Sequence, residues 1–333
     1  MKKVLIIKNK EDLKLSALKR GELHRLQLHL SHNSLGVPWK IPLIVIRGMK
    51  KGPTIGITAA LHGNELNGIS TIFKLINEID PQKLSGDLIL VPISNVPGYL
   101  MNQRYFSDNV DLNRIMPGKP EGNTSSIYAH YFISKIVSKF DYLLDLHTAS
   151  HGRVNSLYIR ADIENEETRT LAYLQHPQII VQKYDEQGTL RGWANENGIP
   201  AITIEIGNPN AFQHELIDET LDGILNTMRY FKMIRGKVKD FMKDATICDH
   251  SYWIYSKSGG IIDVLPKLAD TVTQGETIAY VYDVFGQVKE EIKANKSGIV
   301  IGKNIRPNCD AGTRVLHLGV NIFEPLSKNI PGA

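Results

Sequence analysis

The sequence is short of cysteine: Cys248 and Cys309 are the only two in 333 residues, so at most one bridge can form and no disulfide framework carries the fold. It also lacks a strong charge of one sign. The formal net charge is +4 and no dense Lys/Arg block stands out, which leaves nucleic-acid binding without support. Long hydrophobic runs are missing as well. The apolar patch from Val4 to Ile7 is closed by charges and is far shorter than a signal core or a membrane span. The expectation is a cytoplasmic protein with no membrane partner. What is present is a hydrophobic fraction of 42% beside 22% charged residues, ordinary for a chain that buries a substantial core.

Extended and helical patterns interleave through the first two thirds. Leu26, Leu28 and Leu30 recur at period two, and Leu43 to Ile46 and Thr54 to Ala60 are β-prone runs. The spacing of Ile69, Ile72, Phe73 and Ile76 predicts a helix over residues 66–79, closed by Asp80-Pro81. A strand is expected over 87–93, followed by a long polar segment over 95–123 rich in Pro and Gly. Segments of that length are usually functional or disordered. Further helices are expected near 125–139, 164–175, 188–196 and 212–234, and strands near 142–146, 156–160 and 201–206. Strands alternating with helices indicate an α/β sheet covered on both faces. Near Lys243 the character changes to short strand-like runs punctuated by Gly, Pro and Asp. The chain therefore divides into an α/β domain over residues 1–242 and a smaller all-β domain over 243–333.

Three apolar strands end in polar residues: Ile57 to Glu65, Tyr142 to His147, and Ala201 to Gly207. Ligand sites in open α/β sheets gather at such strand ends. Catalytic zinc takes three ligands from His, Asp or Glu and keeps one position open. His62 and Glu65 are three apart, within reach of one tight turn, and Gly63 between them lets the backbone bend. His147 arrives from a different strand, and Asp145, two residues earlier on the same face, is placed to orient its ring. A lone histidine after a strand is more often a cap or surface residue, so the weight lies in the company. Arg104 and the run Asp111-Leu112-Asn113-Arg114 sit in the polar segment and can polarise a carbonyl or grip a carboxylate. Glu205 interrupts an apolar strand, where a carboxylate is costly unless paired or functional.

The pattern His62-Gly63-Asn64-Glu65, Asp111-Leu112-Asn113-Arg114, Asp145-Leu146-His147 and Ile204-Glu205-Ile206-Gly207 resembles the succinylglutamate desuccinylase/aspartoacylase family, a branch of the zinc carboxypeptidase superfamily. The resemblance spans roughly residues 40 to 240. It implies a zinc carboxypeptidase-like mixed sheet flanked by helices, with one Zn2+ per chain held by His62, Glu65 and His147. Glu205 becomes general base and acid toward a metal-activated water. Arg104 polarises the carbonyl, Asn113 and Arg114 hold the substrate carboxylate, and Arg191 is a further candidate for anchoring the substrate.

The implied partner is a small anionic N-acyl amino acid, with a homo-oligomer left open. Alternatives are a metallocarboxypeptidase acting on peptide C-termini and a non-catalytic binding protein of the same fold. The tail resembles a barrel-sandwich hybrid of the biotinyl and lipoyl carrier kind. Its hairpin Asp283-Val284-Phe285-Gly286 has no Lys at the apex, so it reads as a structural or lid domain rather than a carrier.

Overall fold

The structure, a computed structural model, describes residues 12–150, 152–184, 186–239 and 245–323. The apolar patch at Val4 to Ile7 and the expected change of character at Lys243 lie outside the described residues. The chain opens with β1 (Glu22–His32), β2 (Pro38–Arg47) and β3 (Lys50–Ala59), then α1 (Asn67–Glu78) and β4 (Ser85–Val91). A short α2 (Val96–Leu100) follows inside the long polar segment, its first turn closed by the Asn95 side chain accepting from the Gly98 amide at 2.9 Å. Next come α3 (Thr124–Lys135), β5 (Tyr142–His147), β6 (Arg153–Asn155), β7 (Leu157–Ala161), α4 (Glu166–Leu174) and β8 (Ile179–Gln182). Then α5 (Leu190–Glu196), β9 (Ala201–Ile206) and α6 (His214–Tyr230) complete the α/β part.

The tail is all strand among the described residues. Its elements are β10 (Thr246–Tyr255), β11 (Gly260–Val264), β12 (Thr271–Val272), β13 (Thr277–Tyr282), β14 (Val288–Lys293), β15 (Gly298–Asn304), β16 (Asn308–Cys309) and β17 (Arg314–Phe323). Two sheets result. A mixed sheet of 13 strands runs in the order β1-β2-β4-β3-β5-β9-β7-β8-β10-β17-β15-β12, with β6 paired to β15. A four-stranded antiparallel sheet has the order β14-β13-β11-β16. The large sheet does not stop at the end of the α/β part. Thr246, Ile247 and Cys248 of β10 pair in parallel with Ile179, Ile180 and Val181 of β8.

Two apolar layers cover the large sheet. On one face Ile55, Ile57 and Ile204 pack with Ile69, Ile72 and Leu75 of α1 and with residues of α4 and α6. On the other, Leu43, Ile89 and Leu143 pack with Tyr128 and Phe132 of α3 and with α5. Strands buried on both sides explain the near-continuous Val/Ile/Leu runs of β2, β3 and β4. A third cluster, including Ile254, Ile278, Val281, Leu316 and Leu318, fills the space between the tail strands of the two sheets. Among the described residues, no helix is long and apolar enough to cross a membrane. The expected elements are found with ends shifted by a few residues. α2, β6, β8, β10 and β14 were not among them.

Candidate metal centre

At the middle of the large sheet β3, β5 and β9 run parallel, so their carboxyl ends open on the same side. The chain leaves β3 through Ala60, held at φ 49°, a left-handed conformation uncommon for a residue with a Cβ. That kink is stabilised by amides of the loop after β4: Ser94 N donates to Ala59 O at 2.9 Å and Asn95 N to Ala60 O at 3.0 Å. His62 to Glu65 then form one tight turn, closed by Glu65 N donating to His62 O at 3.0 Å. Gly63 is required here, because a Cβ would lie 2.0 Å from the carbonyl carbon of Gly98 in α2. The turn and α2 are thus packed backbone to backbone.

Three side chains converge. Glu65 places one carboxylate oxygen 2.9 Å from His62 Nδ1 and the other 2.9 Å from His147 Nδ1. The two Nδ1 atoms stand 3.2 Å apart. All three residues are buried, and one ligand atom from each lies within 4.8 Å of the others. The remaining ring nitrogens are committed elsewhere. His147 Nε2 donates to Asp145 at 2.7 Å, and His62 Nε2 to Asp111 at 3.1 Å. Asp145 in turn accepts from the Thr58 hydroxyl at 2.7 Å.

With both Nε2 atoms donating, each Nδ1 aims a lone pair at the other and at a carboxylate. A cation between them satisfies all three. The donor set of two imidazoles and one carboxylate, each imidazole backed by a second carboxylate, fits zinc well.

The electrostatics follow from the same contacts. Burial alone would push the Glu65 carboxyl up, but His62 and His147 overcome it and hold the group well below the usual carboxylate range. Asp111 is likewise held low against burial by His62 and Arg104. His147 is pushed well above the ordinary histidine value, since Asp145 and Glu65 outweigh the burial that would lower it.

Asp145→Asn keeps the size of the side chain but removes the charge that orients His147. We expect it to weaken zinc affinity by about 10- to 100-fold, read by competition with a chromogenic chelator. An unchanged affinity would leave Asp145 without this role.

Around the three convergent residues lies a cavity of about 150 Å³. Glu205 lines it from β9, directly paired with His147 of β5 in the parallel ladder. Its carboxylate accepts from Arg160 Nε at 3.2 Å and from Asn155 Nδ2 at 3.3 Å. Arg104 donates twice to Asp111, at 3.1 and 2.9 Å, and one of its nitrogens lies 3.3 Å from Glu65 and 2.8 Å from the Ser150 hydroxyl. Asn113 and Arg114 also line the cavity. Asn113 Oδ1 accepts from Leu190 N at 2.7 Å, tying the polar segment to the start of α5. Arg191 reaches the same cavity but is buried, donating to the backbone carbonyls of Lys183 and Tyr184 at 3.1 and 3.0 Å. Those bonds brace the loop before α5.

All eight residues expected at the site thus lie around one cavity. Several others there were not expected. Asn155 and Arg160 bind Glu205, while Arg153, Trp253, Arg314 and His317 form the wall contributed by β6, β10 and β17. The His317 ring stacks on Trp253 with centroids 4.9 Å apart and planes 9° from parallel. Burial, followed by the nearby Arg160 and Arg314 charges, pushes its titration well below the ordinary histidine value, so it stands neutral in a cationic wall. Arg153 is pushed down by burial and by Arg314. The available signal was one arginine in each strand, Arg160 in β7 and Arg314 in β17, which also describes an ordinary solvent-facing position.

Comparison with known proteins agrees with this architecture. A family model described as the succinylglutamate desuccinylase/aspartoacylase catalytic domain matches residues 51–231. Over 292 residues, 83% of this chain and 84% of the relative, the sequence is 26% identical to the N-alpha-acetyl-L-2,4-diaminobutyric acid deacetylase of Halomonas elongata. Among solved structures, the fold is similar to the product-bound ectoine utilization protein EutE (DoeB) from Ruegeria pomeroyi. That likeness has a TM-score of 0.82 and 23% identity, covering 91% of this chain and 97% of that one. A succinylglutamate desuccinylase from Silicibacter sp. gives a TM-score of 0.83 at 22% identity, covering 95% and 100%.

Proposed function

Because this chain belongs to the succinylglutamate desuccinylase/aspartoacylase family, we propose that it hydrolyses the amide of a small N-acyl amino acid with zinc held by His62, Glu65 and His147. The observation that carries the reading is the convergence of two imidazole Nδ1 atoms and a carboxylate in a buried site, with the Glu205 carboxylate on the adjoining strand. Bound there, zinc would polarise the acyl carbonyl and ease deprotonation of water.

The chain's own residues supply the rest. Glu205 takes the proton of the attacking water on a carboxylate oxygen and delivers it to the leaving nitrogen, which departs as the free amine. Arg160 and Asn155 fix the carboxylate so that the proton is collected and released at one place. Arg104, held by Asp111 and Ser150, presents its guanidinium to the negative charge that develops on the carbonyl oxygen. Asn113 and Arg114 receive the substrate's carboxylate. Arg191 keeps the loop beside them in place.

The carboxypeptidase alternative fares less well. The cavity is small, and Trp253, Arg314 and His317 wall one side of it. That supports a small amide over a polypeptide. A screen of N-acetyl, N-succinyl and N-formyl amino acids, beside a panel of peptides read for release of the C-terminal residue, tests the proposal. Amine release should stop on chelation and return with zinc. Faster cleavage of peptides, or no release from any acyl amino acid, would overturn it.

A further inference from the structure

A second cavity, of about 770 Å³, shares no described residue with the one around His62, Glu65 and His147. It is lined by the end of β1 and by one side of α3, with Asp108 of the polar segment on its wall. Its size lies within the usual range for small-molecule pockets. Three side-chain atoms that line it are buried and have no hydrogen-bond partner among the described residues: His29 Nε2, Ser31 Oγ and Asp108 Oδ1. Burying a polar atom unpaired is costly, and here three gather in one cavity.

The chemistry of those atoms limits what satisfies them. A carboxylate oxygen only accepts, so the partner of Asp108 Oδ1 is a donor. The Ser31 hydroxyl accepts as well as donates. Burial, followed by the neighbouring His32 and Lys135, pushes the titration of His29 below the ordinary histidine value, so its neutral ring keeps one accepting nitrogen. An anion has little to hold it. The Ser125 and Ser126 amides in the first turn of α3 already donate to Asp108 Oδ2 at 3.1 Å and to Asn123 Oδ1 at 3.0 Å. The Lys135 ammonium donates to His29 O at 3.3 Å and lies 4.6 Å from the centroid of the Tyr131 ring. A metal ion lacks a ligand set here. Among the described residues, the one group of His, Cys, Asp or Glu side chains spaced for a metal is His62, Glu65 and His147. Leu30, Ile127 and Tyr131 add apolar surface beside the unpaired atoms.

We propose that this cavity binds a small primary ammonium with an apolar tail, its charge donating to Asp108, its other N–H groups to Ser31 and His29, and its tail lying against Leu30, Ile127 and Tyr131. Asp108 sits on a tight turn in which Asn109 N donates to Phe106 O at 3.0 Å and Phe106 N to Val110 O at 2.9 Å. That turn separates Arg104 from Asp111, so the occupant steadies the segment that carries both. The inference does not rest on the deacylase reading above.

Calorimetry on the full chain tests it with butylammonium, butanol and butyrate as probes. Butylammonium should bind and the other two should give no measurable heat. Asp108→Asn keeps an oxygen for the Ser125 amide but removes the charge, and should weaken butylammonium by about 10- to 100-fold, the worth of a charge-assisted hydrogen bond. Ser31→Ala should weaken it by roughly 2- to 10-fold, as for a neutral one. Bound butylammonium should also slow hydrogen exchange at the Phe106, Asn109 and Ser125 amides. Equal binding of butanol or butyrate overturns the ligand class. Unchanged affinity in both variants, or slowed exchange confined to other regions, overturns the site. A second zinc bound by the wild type and lost in Asp108→Asn would give the cavity to a metal and overturn the proposal as well.

Discussion

Glu205→Gln should remove turnover, by about 10³-fold or more, while the protein still binds one zinc per chain. General acid–base groups contribute roughly 10²- to 10⁴-fold, and here a single carboxylate is assigned both proton transfers. The substitution preserves shape and leaves His62, Glu65 and His147 untouched. It also leaves Arg160 without its carboxylate, and Arg160 further donates to the Tyr158 hydroxyl. A thermal melt must therefore accompany the assay, so that loss of fold is not taken for loss of chemistry. A folded, zinc-replete variant with full activity would sink the assignment.

His62→Ala and His147→Ala should each lower the zinc content of dialysed protein from near one to roughly a tenth per chain or less, since one of three ligands is gone. Metal analysis by mass spectrometry reads this directly. The two should differ in stability. Removing His62 leaves Asp111 still paired to Arg104 at 2.9 Å. Removing His147 leaves Asp145, fully buried, with Thr58 as its remaining side-chain partner among the contacts described. Breaking a buried pair costs about 3 to 5 kcal/mol when a charge is stranded. His147→Ala should therefore melt well below His62→Ala, measured by denaturant titration of the metal-free proteins. Zinc retained at full stoichiometry by either variant would show the ligand set to be wrong.

Much of this site was legible in the sequence because its parts lie where apolar runs stop. His62, His147 and Glu205 each end or interrupt a β-prone stretch, and parallel pairing of neighbouring strands brings such ends together without detailed knowledge of side chains. Arg104, Asn113 and Arg114 were legible as an unusually long polar segment. Arg153, Arg160, Trp253, Arg314 and His317 were not. Their meeting depends on β7 lying antiparallel beside β9 and on β10 and β17 extending the same sheet, pairings between segments far apart in the chain. A single charged residue in a strand gives no hint of which side meets a cavity. β8 escaped for a simpler reason: three apolar residues and a glutamine fit a strand or a piece of buried helix equally well.

The parallel pairing of β10 with β8 bears on how the edge of the sheet is closed. Ile179, Ile180 and Val181 are buried, and their outer backbone groups face Thr246, Ile247 and Cys248. Without the tail strands, β8 would become an open, largely apolar edge, the kind of surface onto which another chain adds itself. The tail strands therefore act as an edge guard for the catalytic sheet as well as a wall for its cavity. Residues that line the pocket are joined, through one ladder, to residues that cover what would otherwise be an open strand edge.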